Sequence, residues 1–110
     1  MITKIIRLLL GKSRSPAEPL IHQIVERSLA EVCQQVKGRL AEMSLSEARG
    51  YVRARATQIV LRETRLAIAN SVEVDLSAMA DLARQATERL IPQVIRQTYS
   101  AGQHPQRAAA

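Results

Sequence analysis

The stretch from Leu45 to Asn70 constrains this chain more than any other. Val52, Ile59 and Leu66 recur every seven residues there, with Ala48, Ala56 and Ala67 beside them. At about 100° per residue of helix, these positions form one apolar stripe. Ala54, Leu61 and Ile68 recur at the same interval and point to nearly the opposite side. A surface helix needs one apolar face, whereas a helix with two is buried between neighbours. The pattern therefore calls for further helices around this one.

Composition agrees with that demand. Hydrophobic residues make up 46% of the chain and aromatics only 2%, with no Trp and no Phe. A core built from Leu, Ile, Val and Ala suits helices approaching closely at small residues better than it suits a sheet. A length of 110 residues is enough for one domain.

Taken in order, residues 2–10 read as a short basic amphipathic helix. Ile2, Ile5, Ile6 and Leu9 lie on one side, Lys4 and Leu8 away from it, and Gly11 acts as the stop. Such a segment either packs on the bundle or lies on an anionic membrane surface. Ser15-Pro16-Ala17-Glu18 is a capping box that opens a helix expected to run to about Glu42. Its core stripe is Ile21, Val25, Ser28, Leu29, Val32, Val36, Leu40 and Met43. Ser44-Leu45-Ser46-Glu47 is a second capping box, starting the central helix at Leu45 after a very short connection. A connection that short makes the two helices antiparallel neighbours.

Asn70-Ser71 ends the central helix, and Asp75 caps a third one. Leu76, Met79, Ala83, Ala86, Leu90 and Val94 form the third stripe. Pro92 removes an amide from that helix, and Gly102 is the expected end. The expected fold is thus all-α: an antiparallel bundle of three long helices plus a short N-terminal amphipathic helix. Its divisions are the N-terminal helix at 1–12, the bundle at 15–101 and a flexible tail at 102–110.

Charge is unevenly placed. The net charge is +6, and the excess sits in the N-terminal segment and the central helix. On the central helix, Tyr51, Arg55, Gln58, Arg62 and Arg65 form a line between the two stripes. None of the three arginines has an acid three or four positions away on its own helix, so their partners must come from elsewhere. A basic line of this kind fits acids of another helix or chain, phosphates or water, and marks a candidate anion or nucleic-acid contact.

Catalytic and metal chemistry find little support. Nucleophilic catalysis needs a Ser, Cys or Thr with a base and an orienting group. His22 and Cys33 stand eleven residues apart on one helix, about three turns and too far for a hydrogen bond. One thiol and two histidines do not make a four-ligand zinc site. No Gly-rich phosphate loop and no repeated Glu-x-x-His occur. No catalytic residue, cofactor site or metal site is therefore expected. Glu63 is the odd residue, an acid inside the first stripe. Antiparallel pairing sets it close to His22, with Arg84 as a rival partner; His22 and Glu63 are the buried polar candidates.

No run of eighteen apolar residues is present, and Arg7 interrupts the one N-terminal stretch that resembles a secretory signal. A cytoplasmic location is the expectation. The expected function is a non-catalytic helical interaction or assembly module. It would self-associate through Ala54, Leu61 and Ile68, or bind a helical protein partner. Nucleic-acid binding through the arginine line is the first alternative, and peripheral attachment to an anionic membrane through residues 2–10 is the second.

Overall fold

The structure is a computed structural model that describes residues 17–109, with side chains over 17–99. The helix expected at 2–10 lies outside the described residues. Three helices form the fold: α1 (Ala17–Val36), α2 (Leu45–Ala69) and α3 (Met79–Ala109), the last preceded by a 3-10 turn at Leu76–Ala78. Among the described residues there is no strand, and each helix packs on the other two.

The start of α2 falls at the expected position because its signal is local. The Ser44 side chain accepts from the Glu47 amide at 3.1 Å, and the Glu47 carboxylate accepts from the Ser44 amide at 2.9 Å. This reciprocal pair satisfies two amides that have no partner inside the helix. Its end also matches. Asn70 is the cap, its amide and side chain both donating to the Leu66 carbonyl.

The end of α1 differs from expectation. The helix stops at Val36, not Glu42. Gly38 takes φ +76°, a left-handed conformation that glycine adopts without a Cβ penalty. The chain then turns over residues 37–43, so the connection is longer than the capping box implied. Leu40 is nonetheless buried, because the turn folds it back under the bundle. Apolar spacing continued past the helix while the helix did not. At the other end of the chain, α3 runs through Gly102 to Ala109, past the stop expected at Gly102.

The core is aliphatic. Ile21, Ile24, Val32 and Val36 of α1 meet Val52, Ala56 and Val60 of α2 and Leu82, Ala86, Leu90 and Val94 of α3. The buried positions of α2 run from Ala48 through Ile59, Val52, Ala56, Ala67, Val60 and Thr64 to Ile68 around the helix. At 100° per residue they cover roughly 200° of its circumference. An arc that wide takes Ile68 into the chain's own core and leaves Leu61 half-buried at its edge, with Ala54 exposed. The second stripe is therefore not held away from the core as a unit. Conversely Leu66, placed in the first stripe by its spacing, is exposed, and so is Leu76 of the third.

One Arg–Glu pair closes each of the three helix–helix seams. Arg62 of α2 binds Glu31 of α1. Arg53 of α2 grips Glu88 of α3 with Nε and Nη2 at 2.9 and 3.0 Å. Arg89 of α3 grips Glu18 of α1 with Nη1 and Nη2 at 3.0 and 2.6 Å. All three pairs are two-pronged, the geometry in which a guanidinium matches a carboxylate best.

Candidate interaction surface

The connection from α2 to α3 builds the most exposed apolar corner of the described fold. After Asn70 the chain cannot continue as helix, and Ser71 Oγ accepts from the amides of Glu73 and Val74 at 3.2 and 3.3 Å. That local bonding bends the chain outward and leaves Val72 96% exposed. Val74 turns back and packs on the core, together with Met79. Asp75 then accepts from the Ser77 amide at 3.1 Å and from the Ser77 hydroxyl, which caps the short turn before α3. These hydrogen bonds hold the Asp75 carboxyl below its usual range, so it is ionised at neutral pH.

Between this connection and the end of α2 lies an open groove of ≈ 680 Å³. Ile68, Ala69, Val74 and Leu76 supply its apolar lining, with Arg65, Asp75 and Ser77 as its polar members. Leu76 is 66% exposed. Leu66, 52% exposed, lies three residues before Ala69 and hence beside it on the helix surface. Leu66, Val72 and Leu76 are large apolar side chains in water at one end of the bundle. Leu76 stands in the groove itself, and Leu66 and Val72 flank it along the chain, which sets them apart from scattered surface leucines.

No family model, curated protein or solved structure matches this chain.

The arginine line of α2 is divided by the fold. Arg62 is held by Glu31 across the seam and by the neighbouring Glu63 at 3.3 Å. Arg55 stacks over the Tyr51 ring, its Cζ 5.0 Å from the centroid. Arg65 lines the groove and makes no ion pair among the described residues. Gln58 is exposed. The line is thus not one uniform set of free cations.

The two buried polar candidates do not meet: His22 is exposed, while Glu63 is largely covered but takes a different partner. His22 is 73% exposed and sits 3.2 Å from Glu26 on its own helix, not against Glu63. Arg84 is taken by Asp81. Glu63 keeps 12% of its side chain exposed and pairs with Arg62, the residue next to it. The i+1 neighbour reached Glu63 because both side chains lean toward the α1 seam, where Glu31 also draws the guanidinium. Cys33 is half-buried, its sulfur 3.6 Å from Gln97 Oε1, and burial pushes its thiol up. A protonated thiol is a poor nucleophile.

Sequence reasoning assigned Leu66 and Leu76 to core stripes and gave Val72 no role. The signal that locates them is the pairing of a broken helix with apolar side chains on both sides of the break. Asn70-Ser71 and Asp75 mark the break, and Leu66, Val72 and Leu76 flank it. Among the described residues no helix is long and apolar enough to cross a membrane, and no three His, Cys, Asp or Glu gather as a metal site.

Proposed function

We propose that this chain is a non-catalytic helical interaction module that docks an apolar helix or segment against the α2–α3 corner. The observation that carries the reading is the open groove at the end of α2 with Leu76 exposed in its lining, and with Leu66 and Val72 exposed nearby along the chain. An apolar corner of this kind costs free energy in water and gains it when a partner covers it. Arg65 and Asp75 at the groove add one charge of each sign, which orients a partner more than it tightens one. Self-association is the form of the interaction to test first. It would use this corner in place of the Ala54, Leu61 and Ile68 stripe, since Ile68 lies in the chain's own core.

Nucleic-acid binding draws less support from the geometry. Arg62 is engaged by two carboxylates and Arg55 by Tyr51, and a phosphate would have to displace them.

Sedimentation equilibrium of the full chain tests the reading. The weight-average mass should rise above 12.2 kDa with concentration. The double variant Leu66→Glu, Leu76→Glu should stay folded, because both positions are exposed, and should hold the monomer mass throughout. A mass that rises equally in both chains would remove the corner as the contact, and a monomer at every concentration would remove self-association.

A further inference from the structure

We propose that the α2–α3 corner pairs with the same corner of a second copy about a twofold axis, Arg65 of each copy meeting Asp75 of the other. The inference rests on the reading of that corner as a docking surface and names its occupant. Three observations carry it.

The first is the polar content of the groove. Its lining holds two charged side chains of opposite sign, Arg65 and Asp75. The ion pairs among the described residues leave both of them out. Asp75 is ionised at neutral pH, and both of its contacts from Ser77 go to Oδ1. A carboxylate offers about four acceptor positions, so Oδ2 is left for a guanidinium.

The second is what a cover must supply. Among the described residues, Glu18, Glu26, Glu31, Glu63, Asp81 and Glu88 each face a basic side chain already, and the Glu47 carboxylate closes the capping box of α2. No acid of the chain's own seams is left over for Arg65. A partner that covers the groove takes water from both charges, and a charge removed from water without a counter-charge is costly. The partner must therefore bring an acid to Arg65 and a base to Asp75. A second copy of the corner brings both.

The third is symmetry. In a twofold contact the same patch serves both sides, so a residue that meets a second residue across the axis is matched by the reverse pair. One cation and one anion in a single groove thus make two opposite-charge contacts across the axis. Two cations or two anions would repel, and a lone charge would stay unmatched. The apolar lining follows the same rule: Leu76, 66% exposed, is covered by the other copy's groove as it covers that groove in turn. Such a patch is used up once paired, so assembly stops at two chains.

Charge reversal followed by sedimentation equilibrium of the full chain tests this. The unmodified chain should level off at twice 12.2 kDa. Arg65→Glu and Asp75→Arg alone should each weaken dimerisation by about tenfold or more, because each sets like charges against each other at both contacts. An equimolar mixture of the two variants should dimerise almost as well as the unmodified chain, since both contacts then join opposite charges again. Asp75 also caps the turn before α3, so Asp75→Asn separates charge from cap. It keeps an acceptor for the Ser77 amide, and it should weaken the dimer at unchanged Tm. A mixture no stronger than the single variants overturns the proposal. So does a mass that climbs past two chains, which makes the contact head-to-tail. Association that survives both reversals but is lost in Leu66→Glu, Leu76→Glu sinks the twofold pairing alone and leaves the corner a docking surface. An unmodified chain that stays monomeric also overturns the pairing, while the corner remains open to a partner of another kind. Association untouched by Leu66→Glu, Leu76→Glu removes the corner itself as the contact, and this proposal with it.

Discussion

Ser28 faces the core with its side chain fully buried, and its hydroxyl has no hydrogen-bond partner among the described residues. The two other buried hydroxyls do better. Thr64 donates to the Val60 carbonyl and Thr87 to the Ala83 carbonyl, each at 2.7 Å, one turn back along its own helix. An unmade hydrogen bond in the interior costs more than a made one contributes. Ser28→Ala is therefore expected to raise stability by about 1 kcal/mol, or about 4–8 °C in Tm for a domain of this size. Thermal unfolding followed by circular dichroism checks it, and a fall in Tm would show that the hydroxyl has a role in the fold after all. Thr64→Val should stay near neutral, since the Val60 carbonyl keeps its helical amide partner. The position of Ser28 on the core stripe is readable from spacing alone. That its hydroxyl finds no acceptor is not, because the acceptors within reach depend on which rotamer the packing of α2 and α3 leaves open.

α3 continues through Pro92, which is exposed. Proline has no amide, so the Glu88 carbonyl lacks its usual partner one turn on. An interior proline costs a helix about 3 kcal/mol, and replacing it also loosens the unfolded chain by about 0.4–1 kcal/mol. Pro92→Ala should therefore stabilise by on the order of 2 kcal/mol, read from the denaturation midpoint in urea; a lower midpoint would mean that the proline is needed to seat Ile95 and Tyr99. Elements of this fold were legible where the signal was local and misread where it was periodic. The Ser44–Glu47 box placed the start of α2 to the residue, because two hydrogen bonds within four residues define it. The end of α1 was misplaced because Leu40 kept the apolar rhythm going through a turn, while the informative residue was Gly38 with its positive φ. The apolar faces of α2 were misdivided for a different reason. Two neighbours bury a wide arc, so Ile68 is covered and Leu66, near the end of the helix where the connection bends away, is not. The exposed corner could not be found from helix patterns at all, since it belongs to the break between helices.

At the scale of the whole molecule, the three Arg–Glu pairs link pH to stability. Hydrogen bonds from Arg89, Arg62 and Arg53 hold the carboxyls of Glu18, Glu31 and Glu88 below the usual glutamate range. A depressed folded-state pKa means that the stabilisation is fully present above the unfolded value, about 4.3, and is lost as pH falls through the lower folded values. Tm should hold from neutral pH to about 5 and decline below about 4.3. The triple variant Glu18→Gln, Glu31→Gln, Glu88→Gln should have a lower Tm at neutral pH and a shallower acid decline; an identical decline would assign the effect to other carboxylates. Exposed pairs contribute little each and are screened by salt, so their larger consequence lies in what they exclude. A bundle of three helices can close in two mirror-image ways, with the third helix to the left or to the right of the first two. An aliphatic core of Ile, Leu, Val and Ala has no strong preference between them. The charges do. In the opposite enantiomer of this arrangement α1 and α3 trade sides of α2. Arg62, which now faces α1, and Arg53, which now faces α3, would then each turn away from the helix that carries its carboxylate. One guanidinium per seam thus gives the bundle its chirality, a property that no apolar stripe on any single helix can encode.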